Sequence, residues 1–170
     1  MMPPDEPTSE LPAYDRVSLT LRQACERYLL PPQVVRWRIH RDMTPHFMGD
    51  RQSRLIVRFA ESERWHLRAD ELGLTRAAHI PEWPQRSIME GVEEQPVVYS
   101  FVSCSMRQAV DRTGVSEATL HKAISDGWLV AHYVGERGGK IVIRAQDLDE
   151  WVKSLPTESR REQEWRSIYH

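Results

Sequence analysis

Residues 103–151 constrain the fold more than any other stretch of the chain. Ser105 can cap a helix whose apolar side chains recur at helical spacing. That helix is expected to stop at Gly114, because glycine enters the left-handed backbone region at low cost. Ser116 is then a second N-cap, with Glu117 in the first turn of the next helix. The stretch therefore predicts two short helices joined by a tight turn, which is the helix-turn-helix pattern.

The segment after the second helix predicts a β-hairpin and a closing helix. Residues 128–134 and 141–144 are rich in β-branched and aromatic side chains, and the loop between them is rich in glycine. Residues 132–144 are called the second hairpin, and its tip is basic. The pattern from residue 145 to residue 152 predicts a helix with one apolar face.

The order of these elements resembles the excisionase-type winged helix-turn-helix domain, which is related to the MerR-type DNA-binding domain. The resemblance is carried by the segments Met106-Arg107-Gln108-Ala109, Thr113-Gly114-Val115-Ser116, Asp126-Gly127-Trp128-Leu129 and Asp147-Leu148-Asp149-Glu150-Trp151. It implies an α+β, mainly helical fold that binds double-stranded DNA. In that family the outward face of the second helix lies in the major groove.

Side chains on this outward face and on the hairpin tip are the candidate DNA contacts. Hydroxyl, imidazole and ammonium groups can bond to base edges or phosphates, and a glutamate can accept from cytosine. The candidates in this copy are Ser116, Glu117, Thr119, His121, Lys122, Arg137 and Lys140. The alternative explanation is a solvated helix face, with Ser116 and Thr119 acting as caps and the hairpin charges serving solubility.

A second copy of the pattern is expected upstream. Residues 18–43 align without a gap on residues 103–128, at an offset of 85 residues, and one inserted residue then moves the offset to 86. The shared residues lie at predicted structural positions over the whole pattern. We therefore predict two tandem winged helix-turn-helix modules, each with a small β-hairpin wing.

The first copy differs from the second at the turn and in the helix that follows. The segment Leu29-Leu30-Pro31-Pro32 replaces the glycine turn, and proline is tolerated at the start of a helix because its missing N–H has no partner there. The helix is expected from Gln33 to Arg41, with Val35 and Ile39 facing inward. Residues 46–58 are called the first hairpin. The candidate DNA contacts of this copy are Gln33, Arg36, Arg38, His40, Arg41, Arg51 and Arg54.

Composition shifts along the chain predict its domain organisation. Residues 1–16 are rich in Pro, Ser, Glu and Asp and are predicted to be disordered. The first module is predicted at 17–79 with a long closing helix, followed by a Pro-rich acidic linker at 80–96. The second module is predicted at 97–155. The polar tail, 156–170, is expected to be either a helix or a frayed end.

Charge does not favour the same copy as the resemblance does. The chain carries a net charge of −2. Residues 18–65 contain nine Lys or Arg against five Asp or Glu, whereas residues 103–151 contain six against seven. Since phosphate neutralisation dominates non-specific DNA binding, charge favours the first copy, and the resemblance favours the second.

Sequence patterns of catalysis or metal binding are missing. The glycine-rich loop at 135–140 lacks the spacing of a phosphate-binding loop, and no cysteine pair has metal-ligand spacing. We therefore expect no enzyme activity, cofactor or metal. The two cysteines are expected to be buried thiols. Without a leader or a run of about 18 apolar residues, a cytoplasmic protein is expected.

The expected function is sequence-specific binding of double-stranded DNA by a transcriptional regulator of a bacterium, phage or mobile element. One alternative is an excisionase-like factor that bends DNA for a recombinase. An alternative of another class is a winged-helix protein-interaction module that does not bind DNA. A homodimer, or a protein partner such as a recombinase or a polymerase, is compatible with these interpretations.

Overall fold

A computed structural model describes residues 11–49, 51–74, 84 and 86–169. The first half contains β1 (Ala13–Tyr14), β2 (Ser18–Thr20), α1 (Leu21–Tyr28), α2 (Pro32–Asp42), β3 (His46–Met48), β4 (Arg54–Arg58) and α3 (Phe59–Glu71). The second half contains β5 (Val98–Tyr99), β6 (Ser103–Ser105), α4 (Met106–Thr113), α5 (Glu117–Ser125), β7 (His132–Val134), β8 (Lys140–Arg144), α6 (Ala145–Ser154) and α7 (Arg160–Tyr169). The fold is α+β, with short sheets between the helices.

The order strand, helix, helix, strand, strand, helix occurs in both halves. The first half has a sheet of order β2-β4-β3 and the second has one of order β6-β8-β7, and both are antiparallel. Elements up to α2 begin 85 residues before their counterparts, as Ser18 and Ser103 illustrate. From β3 onwards the separation is 86 residues, as between His46 and His132. These starting residues are the ones that the sequence alignment pairs.

The predicted caps at both ends of α4, in the second half, are confirmed. Ser105 Oγ accepts from the Gln108 backbone N–H at 3.2 Å, and the Ser105 N–H donates to Gln108 Oε1 at 2.9 Å. This reciprocal arrangement is a capping box. Gly114 ends α4 in the left-handed region, with a φ of 73°. In the first half, Thr20 and Gln23 form the same capping box at the start of α1.

The turn of the first half uses residues that differ from those of the second. Pro32 is the first residue of α2, and Val35 and Ile39 are buried as predicted. Leu29 follows the last residue of α1 as its C-cap, has a φ of 55° and is 87% exposed. Leu29 therefore occupies the position of Gly114 in a conformation that is unfavourable for a side chain with a Cβ atom.

The sheet of the first half is buried on both faces. Val57 of β4 packs into the core beneath α1, α2 and α3, which also contains Trp65. Its neighbour Ile56 packs instead into the core of the second half, together with Val17 and Met48. Successive side chains of a strand point to opposite faces, so one sheet serves both cores. This accounts for the unbroken apolar run of β4, a pattern typical of strands covered on both sides.

Hydrogen bonds join the halves at the end of α4. The Val17 N–H donates to the Arg112 carbonyl at 2.7 Å, and Ser18 Oγ donates to the Thr113 carbonyl at 2.7 Å. Both carbonyls belong to the last turn of α4, where no intrahelical N–H can reach them. The first half thereby completes the capping of a helix in the second half.

Residues 11–16 are ordered, so the prediction of a disordered segment at 1–16 is wrong for this part. β1 pairs in parallel with β5, and the ring of Tyr14 packs edge-on against Phe59 with a centroid distance of 5.8 Å. The polar composition of the segment gave no sign of this partner strand, which lies far away in sequence. Residues 1–10 lie outside the described residues.

The closing helix of the first half is shorter than predicted. α3 ends at Glu71 and is followed by Gly73 with a φ of 71°. Residues 75–83 lie outside the described residues, so the rest of the predicted helix and the start of the predicted linker are not described. The C-terminal tail forms α7, one of the two forms expected for it. None of the described helices is long and apolar enough to cross a membrane.

Candidate nucleic-acid interface

Helix α5 has an apolar face that is buried and a polar face that is exposed. Leu120 is fully buried in the core of the second half, whereas His121 and Lys122 are exposed. Ser116 caps the helix, because its Oγ accepts from the Thr119 backbone N–H at 3.3 Å. The Ser116 and Thr119 hydroxyl oxygens are also 2.8 Å apart. Both hydroxyls therefore stabilise the end of α5 and lie at its N-terminal end.

Glu117 and His121 interact with each other on the exposed face of α5. His121 Nε2 lies 3.4 Å from Glu117 Oε1, one helical turn away, and the two side chains are 49% and 68% exposed. Such exposed pairs contribute little to stability, about 0–1 kcal/mol. His121 can therefore exchange this contact for one to a base edge or a phosphate, and Glu117 for one to a base edge, at low cost.

The second hairpin carries exposed basic and aromatic side chains. Arg137 and Lys140 are exposed at its tip, where the Gly138 N–H donates to the Gly135 carbonyl at 3.1 Å. Tyr133 in β7 is 58% exposed. Aromatic and cationic groups of this kind can contact bases, sugars and phosphates.

The fold also places the first hairpin beside α5. A groove of about 630 Å³ lies between them, with Arg51 and Arg54 on one side and Thr119 and Lys122 on the other. Apolar side chains from both halves line its interior: Phe47, Met48, Trp128, Trp151 and Leu155. Basic residues that are far apart in sequence thus lie at one groove.

One end of α2 lies near this region as well. Gln33, Arg36, His40 and Arg41 are all exposed, as a DNA-contacting role requires. The His40 ring lies 6.2 Å from the ring of Phe47, which lines the groove. The C-terminal end of α2 therefore lies next to the first hairpin.

Arg38 does not belong to this exposed set, and the prediction that it contacts DNA is wrong. Its side chain is fully buried, and Arg38 Nε donates to Asp42 Oδ2 at 2.6 Å. Asp42 also accepts from Trp65 Nε1 at 3.0 Å and from the Ile88 backbone N–H at 3.1 Å. The alignment pairs Arg38 with the inward-facing Ala123. The buried charge of Arg38 is tolerated because Asp42 supplies the opposite charge. The Asp42 carboxylate is itself stabilised by the donors of Trp65 and Ile88.

The other chemically reactive side chains are dispersed. Within the described ranges, no group of three His, Cys, Asp or Glu side chains is close enough to hold a metal ion. Cys104 is buried and Cys25 half-buried, and both are free thiols. Burial raises the pKa of each thiol above its usual value, which reduces the share of reactive thiolate.

These elements define the second half as a winged helix-turn-helix arrangement, with two helices around a tight turn, a hairpin and a closing helix. Residues 104–156 match the family model of a helix-turn-helix domain. The matched range runs from the end of β6 to just past α6 and does not include residues 18–71. No curated protein and no solved structure matches the chain.

Proposed function

We propose that the chain binds double-stranded DNA, with α5 as the recognition helix that enters the major groove. The match of residues 104–156 to a helix-turn-helix domain carries this proposal. The second helix of such a motif contacts base edges through its N-terminal residues. In α5 that end is capped by Ser116 and followed by the exposed Glu117, His121 and Lys122.

The first half is proposed to be a second, divergent winged helix-turn-helix module. Three observations support this: the repeated order of elements, the equivalent strand order, and the paired capping boxes at Thr20 and Ser105. Its recognition helix would be α2, whose exposed side chains include Arg36 and Arg41. The turn at Leu29 is one of the places where it departs from the second half.

The proposed role is transcriptional regulation by DNA binding, without a catalytic step. Such a regulator is expected to bind promoter fragments and to change the rate of transcription from them. The same interface could serve an excisionase-like factor. That factor would bind attachment sites and change the direction of recombination without affecting a promoter.

A protein-interaction module is the second candidate function. Four large apolar side chains on or near the second hairpin are exposed, namely Trp128, Val130, Tyr133 and Val134. Exposed apolar patches are typical of protein-binding surfaces. A net charge of −2 also favours this candidate, because it weakens non-specific attraction to DNA. Salt-dependent association with duplex DNA separates the two functions, since a protein-binding scaffold would show none.

Selection from a pool of random-sequence duplexes, followed by affinity measurements at two salt concentrations, tests the proposed function. The full chain is expected to enrich particular sequences and to lose affinity steeply as salt increases. The variant His121→Ala/Lys122→Ala is expected to lose the sequence preference. Arg160→Ala is the control, because it removes one positive charge from the exposed helix α7. Absence of duplex binding at about 50 mM salt would contradict the proposed function.

A further inference from the structure

The first hairpin is fixed to the second half, unlike its counterpart. His46, Phe47 and Met48 of β3 are 3%, 6% and 5% exposed. The counterparts in β7, residues 132–134, are all exposed. The two hairpins share their strand order but not their surroundings, so they are suited to different tasks.

Three successive residues of β3 make the attachment. The Phe47 N–H donates to the Pro156 carbonyl at 2.8 Å, and His46 Nδ1 lies 3.4 Å from the Leu155 carbonyl oxygen. Met48 packs into the core of the second half, which also contains residues of α5. The tip of the first hairpin is therefore held beside α5 and not on a free arm.

Among the charged residues that line the groove between this hairpin and α5, cations outnumber anions. Arg51 and Arg54 lie on the hairpin side and Lys122 on the α5 side, against Asp126 among the described residues. Arg51 and Arg54 are exposed, so a phosphate can reach both guanidinium groups. Guanidinium groups suit phosphate oxygens because they donate two hydrogen bonds in a fixed plane.

We propose that Arg51 and Arg54 bind the DNA phosphates that flank the major groove entered by α5. The first hairpin then acts as a wing for the recognition helix of the other half. This inference rests on the proposed function of α5. It also gives a role to two of the nine Lys or Arg residues that make residues 18–65 positively charged, although the family match lies in residues 104–156. In this proposal the basic first hairpin and the matched helix-turn-helix motif are two parts of one DNA-binding interface.

The size of the expected effect follows from counterion release. Each phosphate that a protein neutralises on duplex DNA contributes about −0.9 to the slope of log K against log salt. Loss of two contacts therefore reduces the magnitude of that slope by about 1.8. Sequence preference is expected to remain, because phosphate contacts position the protein and base contacts specify the sequence.

The experiment compares the full chain with Arg51→Ala/Arg54→Ala on the duplex enriched by the wild-type protein. The affinity is measured between about 50 and about 200 mM salt, and backbone protection is mapped by hydroxyl-radical footprinting. Arg160→Ala/Arg161→Ala is the control, since it removes the same charge from α7. Arg51→Lys/Arg54→Lys keeps both charges and is expected to restore most of the slope.

Three results are decisive. A reduced slope, with protection lost beside the α5 contact and restored by the lysine variant, supports the inference. Wild-type binding with equal slopes in the hairpin and α7 variants would overturn the inference and leave the proposed function of α5 intact. Failure of the wild-type chain to bind any duplex would overturn both.

Discussion

Arg58 on β4 and Asp149 on α6 form a two-point salt bridge across the boundary between the halves. Arg58 Nε lies 2.8 Å from Asp149 Oδ1, and Arg58 Nη2 lies 3.0 Å from Asp149 Oδ2. Their side chains are 15% and 8% exposed. Bidentate pairs with this geometry are among the strongest hydrogen-bonded contacts in proteins. The pair therefore fixes the orientation of α6 relative to the sheet of the first half.

Asp149→Ala is expected to lower the free energy of unfolding by about 3 kcal/mol, because it leaves the Arg58 charge buried without its partner. Urea denaturation measures the change. The double variant Arg58→Met/Asp149→Leu is expected to recover most of the loss, since it removes both charges and keeps apolar volume. A double variant as unstable as Asp149→Ala would contradict this explanation.

Loss of glycine at the turn after α4 and gain of glycine at the turn after α1 are expected to change the stability in opposite directions. Gly114→Ala is expected to lower the free energy of unfolding by about 1–2 kcal/mol, because its φ is positive and a Cβ atom would meet Gln23 and Thr20. Leu29→Gly is expected to raise it by about 0.5 kcal/mol, since relief of the left-handed strain exceeds the entropic cost of glycine.

Thermal or urea unfolding of both variants tests the turns. Leu29→Ala is the matched control, because it removes the exposed side chain but retains the Cβ atom that causes the strain. It should leave stability almost unchanged. If Leu29→Ala and Leu29→Gly stabilise the chain equally, the gain comes from removing an exposed apolar group and not from the backbone.

Arg38 is expected to affect stability and not DNA binding. Arg38→Ala should lower the free energy of unfolding by about 3 kcal/mol, because Asp42 then loses its buried counter-charge. Arg36→Ala, on the exposed face of the same helix, should change it by less than about 0.5 kcal/mol. Below its melting temperature, Arg38→Ala should keep the wild-type salt slope on DNA. A reduced slope for Arg38→Ala would contradict this expectation and indicate that Arg38 contributes to DNA binding.

The lowered pKa of the buried His46 predicts a loss of stability in mild acid. Burial lowers the pKa of His46 below its usual value of about 6.5, although the Leu155 carbonyl and the Asp149 carboxylate oppose this shift and Arg58 adds to it. Between the lowered pKa of the folded chain and the usual pKa of about 6.5, the unfolded chain therefore binds more protons at this residue than the folded chain. The free energy of unfolding must fall as pH decreases through about 6.5 and level off below the lowered pKa.

His46→Gln removes this titration while it keeps a side-chain donor for the Leu155 carbonyl. Its unfolding free energy should depend less on pH between about 7.5 and about 5.5 than that of the wild type. Burial raises the pKa of Glu61, which acts in the opposite direction, but this contribution is common to both proteins and cancels in the difference. Identical pH dependence in the two proteins would exclude His46 as the source.

Local signals in the sequence predicted most of the second half. Ser105, Gly114 and Ser116 mark the ends of helices through bonds to near neighbours, and such signals can be read from a few residues. The ion pair of Arg38 depends on Trp65 and Ile88, which the fold brings to Asp42. From the sequence, Arg38 was predicted to contact DNA, and nothing near it in the sequence indicated these partners.

The candidate interface was predictable as a set of residues but not as a surface. The exposed residues of α5 follow from helical periodicity. The proximity of Arg51 and Arg54 to α5 depends on how two separate sheets pack, which periodicity does not encode. One signal was present in the sequence, namely the unbroken apolar run Leu55-Ile56-Val57, which indicates a strand covered on both faces.

The sheet shared by the two cores limits how this protein can be divided. A fragment that ends before β5 would expose Val17, Met48 and Ile56 to water, and a fragment that begins there would lose the cover of its own core. Tandem domains can usually be excised, exchanged or fused to other proteins, because each carries its own core. Here the duplicated pattern does not yield two portable parts. Truncation experiments would report the collapse of a shared interior and not the properties of an isolated domain.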